Sequence, residues 1–536
     1  PLSRSSNMGK VSVARITHRR SEVSPALFAL CAIVGILVVL PIAIIAFQAF
    51  QGGTSAIADA LGASSSRTLL LHTVLVSVVA TPICGVIGVG AAWFVERTRL
   101  PGRRLWALLL VAPLTVPLFV TSYAWATLGV GLQGFVGAAG IIAFSYFPIV
   151  FLLVAVALRG LDPSLEDSAR SLGLNPRQVF FRVILPQLRP ALLGGLLLVA
   201  LDALVEFDAF VALRFQTFAL DIYAQYRLGF STSGAAALSF FSIVLCLVFL
   251  FGEARLRGDA NYTRVSSGAR RPPVRYELGR WTLPVLAGLA AVVAVGVGIP
   301  VAMLIRWFAE SSSAALSTAA GNLQFLWPAS RTTILLGVCA ALVALLMALP
   351  VALLAVRHGG RFSRLVERST YLSFALPDLV GAIALSYGAV HYARFLYGSF
   401  ALIVFAEAIL FVPFAVVAMR ATLGQIEPAL EDSARALGAG PFATFRRVTM
   451  PLARPGVLAA LVLVFAFSIG DLATAQVLLP LNLYTLGTEF QANSGTVAFA
   501  SAAPFAAVLI VLAMAAAYVL MSGFGTVRAF TDDDRG

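Results

Sequence analysis

Lysine is all but missing from this chain: Lys10, in Met8-Gly9-Lys10-Val11, is the only one in 536 residues. A phosphate-cradling loop of the form Gly-x-x-x-x-Gly-Lys-Ser/Thr sets its lysine on the β and γ phosphates of a nucleotide, so this chain does not hydrolyse ATP by itself. Cysteine is scarce as well. Cys31, Cys84, Cys246 and Cys339 each stand alone in an apolar stretch, which excludes a disulfide framework and a Cys-x-x-Cys metal site and leaves them as packing residues. His18, His72, His358 and His391 show no i, i+4 pairing of the zinc-binding sort. Charge itself is thin, at 12% of residues against about 25% in a soluble domain. The first 24 residues lack the apolar core and cleavage site of a signal peptide.

Apolar sequence fills the space these absences leave. Hydrophobic residues make up 60% of the chain and mean hydropathy is +0.92. A spanning helix needs about 20 apolar residues, and twelve candidates stand near 26–48, 69–95, 105–131, 139–158, 191–213, 236–252, 282–305, 332–356, 370–390, 399–419, 456–480 and 500–523. A β-barrel would show short alternating segments instead. The expected fold is therefore an all-α polytopic membrane protein.

The arginines orient it, because short cytoplasmic loops carry the positive excess. Arg4, Lys10, Arg15, Arg19 and Arg20 precede the first acid; Arg97, Arg99, Arg103 and Arg104 follow the second candidate helix; Arg357, Arg361 and Arg364 follow the eighth. Arg255 to Arg280 contribute seven more. All these loops must therefore share one side, and with twelve spans both termini and the linker are expected to be cytoplasmic. Topology thereby accounts for the net charge of +13, and nucleic acid is not an expected partner.

The most informative feature is a repeat. Residues 163–190 and 428–455 align without a gap at an offset of 265, with sixteen identical positions of 28. They read PSLEDSARSLGLNPRQVFFRVILPQLRP and PALEDSARALGAGPFATFRRVTMPLARP. Such a repeat implies two homologous halves, parallel rather than inverted, each presenting one polar module to a common partner. Glu166 and Asp167 open a short helix where its dipole favours negative charge, Gly173 ends it, and Pro176 starts a second one at N1. The second helix is expected to end at Pro186 and Pro190. Helices this short are marginal alone in water, so they pack against their own bundle or a docked protein.

Asp167-Ser168-Ala169, Gly173, Val183 and Leu185-Pro186, repeated as Asp432-Ser433-Ala434, Gly438, Val448 and Met450-Pro451, resemble the cytoplasmic coupling loop of type I binding-protein-dependent ABC importer permeases. That hallmark reads Glu-Ala-Ala, three residues, Gly, nine residues, Ile-x-Leu-Pro. The resemblance covers nearly the whole chain and implies a fused permease of about twelve transmembrane helices in two parallel six-helix halves. Its expected boundaries are a basic cytoplasmic tail at 1–24, a first transmembrane domain at 25–254 (core 67–254, coupling loop 159–190), a linker at 255–280, a second transmembrane domain at 281–524 (core 331–524, coupling loop 421–455) and a tail at 525–536. It implies a multi-pass protein of the bacterial inner membrane, an ATPase homodimer that binds ATP and Mg on the cytoplasmic side, and an external substrate-binding protein; this chain carries no cofactor of its own. Glu166, Asp167, Arg170, Gly173, Glu431, Asp432, Arg435 and Gly438 are then the residues expected to meet the ATPase. A secondary transporter with parallel six-helix halves would share the topology, but would carry its recurrent motif between the second and third helices of each half.

Substrate is sought among intramembrane acids, which are costly and usually functional. The same offset pairs Glu206 with Asp471 in the fifth candidate helix of each half. With Asp208 they are read as an acidic constriction on the pathway, suited to a cation; the bland alternative is that each caps a helix break. Asp378 and Glu407 lack acidic counterparts and are read as structural. Fused permeases with such acids are most similar to ferric iron importers and next to thiamine importers, with polyamine and anion permeases further off. Hard ferric iron suits carboxylate and phenolate oxygen, which marks Tyr223, Tyr226 and Glu489, beyond the fifth and eleventh helices, as candidate ligands.

Overall fold

The computed structural model describes residues 25–51, 53, 64–161, 163–228, 232–257, 275–310, 313–358 and 360–523. Both expected tails, and the linker over 258–274, lie outside them. The described residues hold ten helices long and apolar enough to cross a membrane, and two further pairs bent by 90° and 107°. Helices α1 (Pro25–Gln51), α2 (Ser64–Arg97), the pair α3 (Arg103–Val111) and α4 (Leu118–Leu128), and α5 (Phe135–Gly160) lead into the first repeat block. There α6 (Pro163–Ser171) precedes the long α7 (Leu185–Val205), then the short α8 (Asp208–Ala212), α9 (Phe218–Leu228) and α10 (Thr232–Arg257).

The second half repeats this order. Its leading segment is α11 (Thr282–Val293) and α12 (Ile299–Ala309), followed by α13 (Ser313–Arg357), the bent pair α14 (Arg361–Tyr371) and α15 (Asp378–Tyr392), and α16 (Phe400–Leu423). Then come α17 (Pro428–Ala436), α18 (Met450–Gly470), α19 (Leu472–Leu478), α20 (Leu486–Gly495) and α21 (Phe499–Gly523).

Three expectations need correction. The spans placed at 105–131 and 370–390 are not straight. Val116 and Leu376, each preceding a proline, take extended dihedrals, because the proline ring clashes with a helical predecessor; the chain turns there and resumes at Pro117 and Pro377. The fifth span of each half is also interrupted, after Val205 and after Gly470. Finally, the second short helix of each repeat does not stop at its prolines. Pro176–Val179 runs through a π turn at Phe180–Ile184 into α7, and Pro441–Thr444 through a π turn at Phe445–Thr449 into α18. A π turn has already shifted the hydrogen-bond ladder, so Pro186 and Pro451, lacking an N–H, follow it without breaking the helix.

The two leading segments cross over. Helix α1 packs against α10 of its own half and against α13, α14 and α15 of the second, while α11 and α12 pack against α3 and α4 of the first and the π turn that joins them, Ala294–Gly298, packs against α5. Accordingly Cys31, Val34, Val38 and Ile45 belong to the core of the second half, and Leu289 to that of the first. Each half is thus clasped by the other's first helix, and burial of these apolar faces, at about 25 cal/mol per Å² where it replaces contact with water, is replaced in lipid by close packing as the holding force.

Candidate functional site

The repeat blocks lie at one end of the bundle, built as predicted around glycine. Gly173 and Gly438 have φ of 84° and 87°. Behind them the Leu174 amide donates to the Ala169 carbonyl and the Gly173 amide to Arg170 O; Ala439 and Gly438 do the same to Ala434 and Arg435. This is a Schellman cap, which needs a left-handed residue. A Cβ at either glycine would meet nothing within 4 Å, so the requirement is conformational, not steric. Replacing both by Val should cost about 1–2 kcal/mol per loop, lowering transport while expression and membrane insertion persist. Unaltered uptake by the double variant in vesicles would remove the cap from the mechanism.

The two acids of each block divide their work. Glu166 and Glu431 are buried, at 2% and 6% exposure, and face inward. Arg97, at the end of α2, meets Glu166 at 2.8 Å; Arg357, at the end of α13, meets Glu431 at 2.9 Å. Arg170 lies 3.7 Å from Glu166 and Arg435 3.4 Å from Glu431. These glutamates therefore staple the short helices to the bundle and are not presented to a partner. Asp167 and Asp432, one position on and about 100° around the helix, are exposed. Beside them the Leu172 and Leu437 side chains stand 83% and 89% exposed, an apolar tip with a charged rim at the end of each short helix. Arg435 also bonds Asp432, at 2.9 Å, whereas Arg170 is held by Glu166 and the Tyr276 hydroxyl. Sequence reasoning missed Arg97, Arg357 and Tyr276; the only signal was that each arginine closes the second membrane span of its half.

The intramembrane acids gather where the halves meet. Glu206 ends α7, and its carboxylate accepts from the Ala209 amide at 2.8 Å, with the Tyr146 hydroxyl at 3.5 Å. Asp471 occupies the N-cap of α19 and accepts from Thr474 N at 3.0 Å. Both acids therefore do cap a helix break, as the bland reading holds, and both also stand in a charged group. Asp208, at the start of α8, lies within electrostatic reach of Glu206 of its own half and of Asp471 and Asp378 of the other. Glu407, fully buried, accepts from Ser468 and lies within electrostatic reach of Asp471 and Asp378, and Asp202 lies close to Tyr146. Asp378 and Glu407, expected to be structural, thus belong to the same acidic group, and Asp202 was overlooked. A polar cavity of about 10 Å³ beside Asp471, lined in part by Thr333, Ser468 and Thr485, has room for about one water.

The candidate ligands beyond the membrane helices do not assemble. Tyr226 shares a hydrogen bond with Ser386 at 3.2 Å, and Tyr223 packs on Phe207 with ring centroids 4.9 Å apart. Glu489 lies on α20, which packs against α13, α19 and α21. Among the described residues no three His, Cys, Asp or Glu side chains converge to hold a metal ion. The acids are partly or wholly buried where the halves meet, Tyr226 joins the halves through Ser386, and Tyr223 packs on Phe207 of its own half.

Comparison with known proteins places this architecture. The family model described as binding-protein-dependent transport system inner membrane component matches residues 85–257 and 340–527. The Fe(3+)-transport system permease protein FbpB 2 of Haemophilus influenzae is 34% identical over 82% of this chain and 87% of its own length. The ferric transport system permease protein FbpB of Actinobacillus pleuropneumoniae is 25% identical over 62% of this chain and 50% of its own. The sulfate transport system permease protein CysT of Salmonella typhimurium is 30% identical over 33% of this chain and 72% of its own.

Proposed function

The chain belongs to the family of binding-protein-dependent transport system inner membrane components, and from that membership we propose that it supplies both membrane halves of the permease of an ATP-driven ferric iron importer. Two repeat blocks in one chain supply two docking sites, so two ATPase subunits, which carry ATP and Mg, bind α6 and α17 on the cytoplasmic side. Both termini and the linker share that side, and an external binding protein delivers the substrate to the opposite face. The observation that carries the proposal is the pairing, in each half, of a buried glutamate that anchors the short helix with an aspartate and a leucine left exposed among the described residues. Iron is supported by the similarity to the Fe(3+) permease over most of both chains and by the acids gathered between the halves.

In this mechanism closure of the ATPase dimer moves α6 and α17. Because the π turns join each block to α7 and α18 as continuous helix, that motion is delivered to Glu206 and Asp471 at the far ends of the same helices. Loaded binding protein and ATP favour one arrangement of the halves over the other, and that differential affinity is what moves the equilibrium. Docking is tested by Asp167→Lys with Asp432→Lys, which reverses the exposed charge and leaves the glutamate staples intact. The ATPase should no longer co-purify with the solubilised variant. Undiminished co-purification would place the docking surface elsewhere.

A further inference from the structure

The two repeat blocks are not anchored alike, and the difference lies in a residue outside both. In the second half, the buried Glu431 carboxylate takes a hydroxyl from its own block: Thr449 donates to Oε1 at 3.0 Å. The matching position in the first block is Ile184, buried and apolar, so Glu166 has no such donor in its own sequence. Its hydroxyl comes instead from Tyr276, which donates to Glu166 Oε2 at 3.4 Å and accepts from Arg170. Tyr276 lies in the linker between the halves, just before α11.

Tyr276 is held in place by backbone and by ring. Its amide donates to the Arg97 carbonyl at 2.8 Å, and its own carbonyl accepts from Arg99 N at 3.0 Å, a β-bridge beside Thr98. Arg99 and Glu277 pair at 2.7 Å on the outside. The phenol stacks on Trp93, at 5.9 Å between centroids, and Trp93 in turn meets Phe180 of the π turn edge-on at 5.0 Å. The Arg170 guanidinium lies 5.3 Å over the same phenol ring. Counting back equally from Arg97 and Arg357, the second half has Leu353 where the first has Trp93, so it lacks the platform as well as the tyrosine. Burial, and then the Glu166 charge, lift the Tyr276 hydroxyl above the usual phenol range, which keeps it a proton donor.

We infer that Tyr276 is a positioning residue for the first short helix, supplied by the linker that leads into α11, and that it replaces the hydroxyl which Thr449 supplies to the second block from within. Motion of α6 is thereby tied to the segment that enters α11, which clasps the first half, whereas no described residue outside the second half ties α17 in this way. The helix-anchoring role stands on geometry alone; its consequence for transport rests on the importer reading.

The test separates the two. Hydrogen exchange on the purified full-length chain should show amides 169–174 exchanging about fivefold faster in Tyr276→Phe, the loss expected for one hydrogen bond of about 1 kcal/mol, with 434–439 unchanged. Adding Ile184→Thr should restore protection, and Thr449→Val should produce the converse effect, confined to 434–439. An unchanged 169–174 segment, equal loss in both blocks, or a Tyr276→Phe/Ile184→Thr protein that remains unprotected while Ile184→Thr alone is native-like would overturn the assignment. With ATPase and loaded binding protein present, Tyr276→Phe should also lower uptake per ATP hydrolysed. Should exchange respond as predicted and this ratio stay fixed, the anchoring by Tyr276 holds and it is the coupling role of the block that fails.

Discussion

Glu166→Ala should release the first short helix from the bundle and abolish productive coupling, the largest effect expected of any single substitution in the chain. Arg97 is fully buried beneath that helix with Glu166 at 2.8 Å, and removing one partner of a buried ion pair costs about 3–5 kcal/mol, because a charge is left without compensation. Thermal unfolding of the detergent-solubilised protein should shift downward, and the ATPase should run without stimulation by loaded binding protein. Replacing both partners, by Arg97→Met with Glu166→Met, should recover much of the stability, since apolar pairs of similar volume replace buried ion pairs at little cost. Glu431→Ala should act in the same direction but less strongly, because the Arg357 side chain keeps 15% exposure and water can reach it. A Glu166→Ala protein as stable as the parent would mean that the pair does not hold the helix.

Glu206→Gln with Asp471→Asn should cut iron uptake by about tenfold or more, the order by which a charged, low-dielectric constriction raises local cation concentration. Both replacements keep an oxygen that accepts from Ala209 and Thr474, so the caps on α8 and α19 persist and only charge is lost. Uptake into proteoliposomes, with assembly checked by co-purification, measures this. Normal uptake would leave the two acids as caps and nothing more.

Much of this architecture was legible because membrane helices announce themselves by composition and because the chain repeats itself. The Gly173 and Gly438 turns were legible for a local reason: a left-handed cap has a residue type. The swap of α1 and α11 was not. An apolar helix face reads the same whether its neighbour belongs to its own half, the other half or lipid, so nothing in residues 25–51 names α14 or α15 as its partner. The division between Glu166 and Asp167 was hidden for a similar reason: adjacent positions differ only by rotation about the helix, and the sequence does not say which side faces the bundle. Asp378 and Glu407 could not be joined to the acidic group from the sequence because the test applied to them was symmetry. The acidic group is asymmetric, with Pro117-Leu118 standing where the second half has Pro377-Asp378. Tyr276 sits in a basic stretch with no periodicity, where only tertiary structure reveals that its backbone pairs with the end of α2.

The central claim is that this one chain, with two ATPase subunits, moves ferric iron inward at the expense of ATP. Uptake of radioactive iron into proteoliposomes containing the chain and its ATPase, supplied with iron-loaded binding protein outside and ATP inside, tests it most directly. Uptake should require ATP, the binding protein and an intact ATPase together, and should be insensitive to collapse of the proton gradient. Uptake that persists without ATP and follows an ion gradient, or a complex that hydrolyses ATP in response to its binding protein but carries a substrate other than iron, would contradict the account.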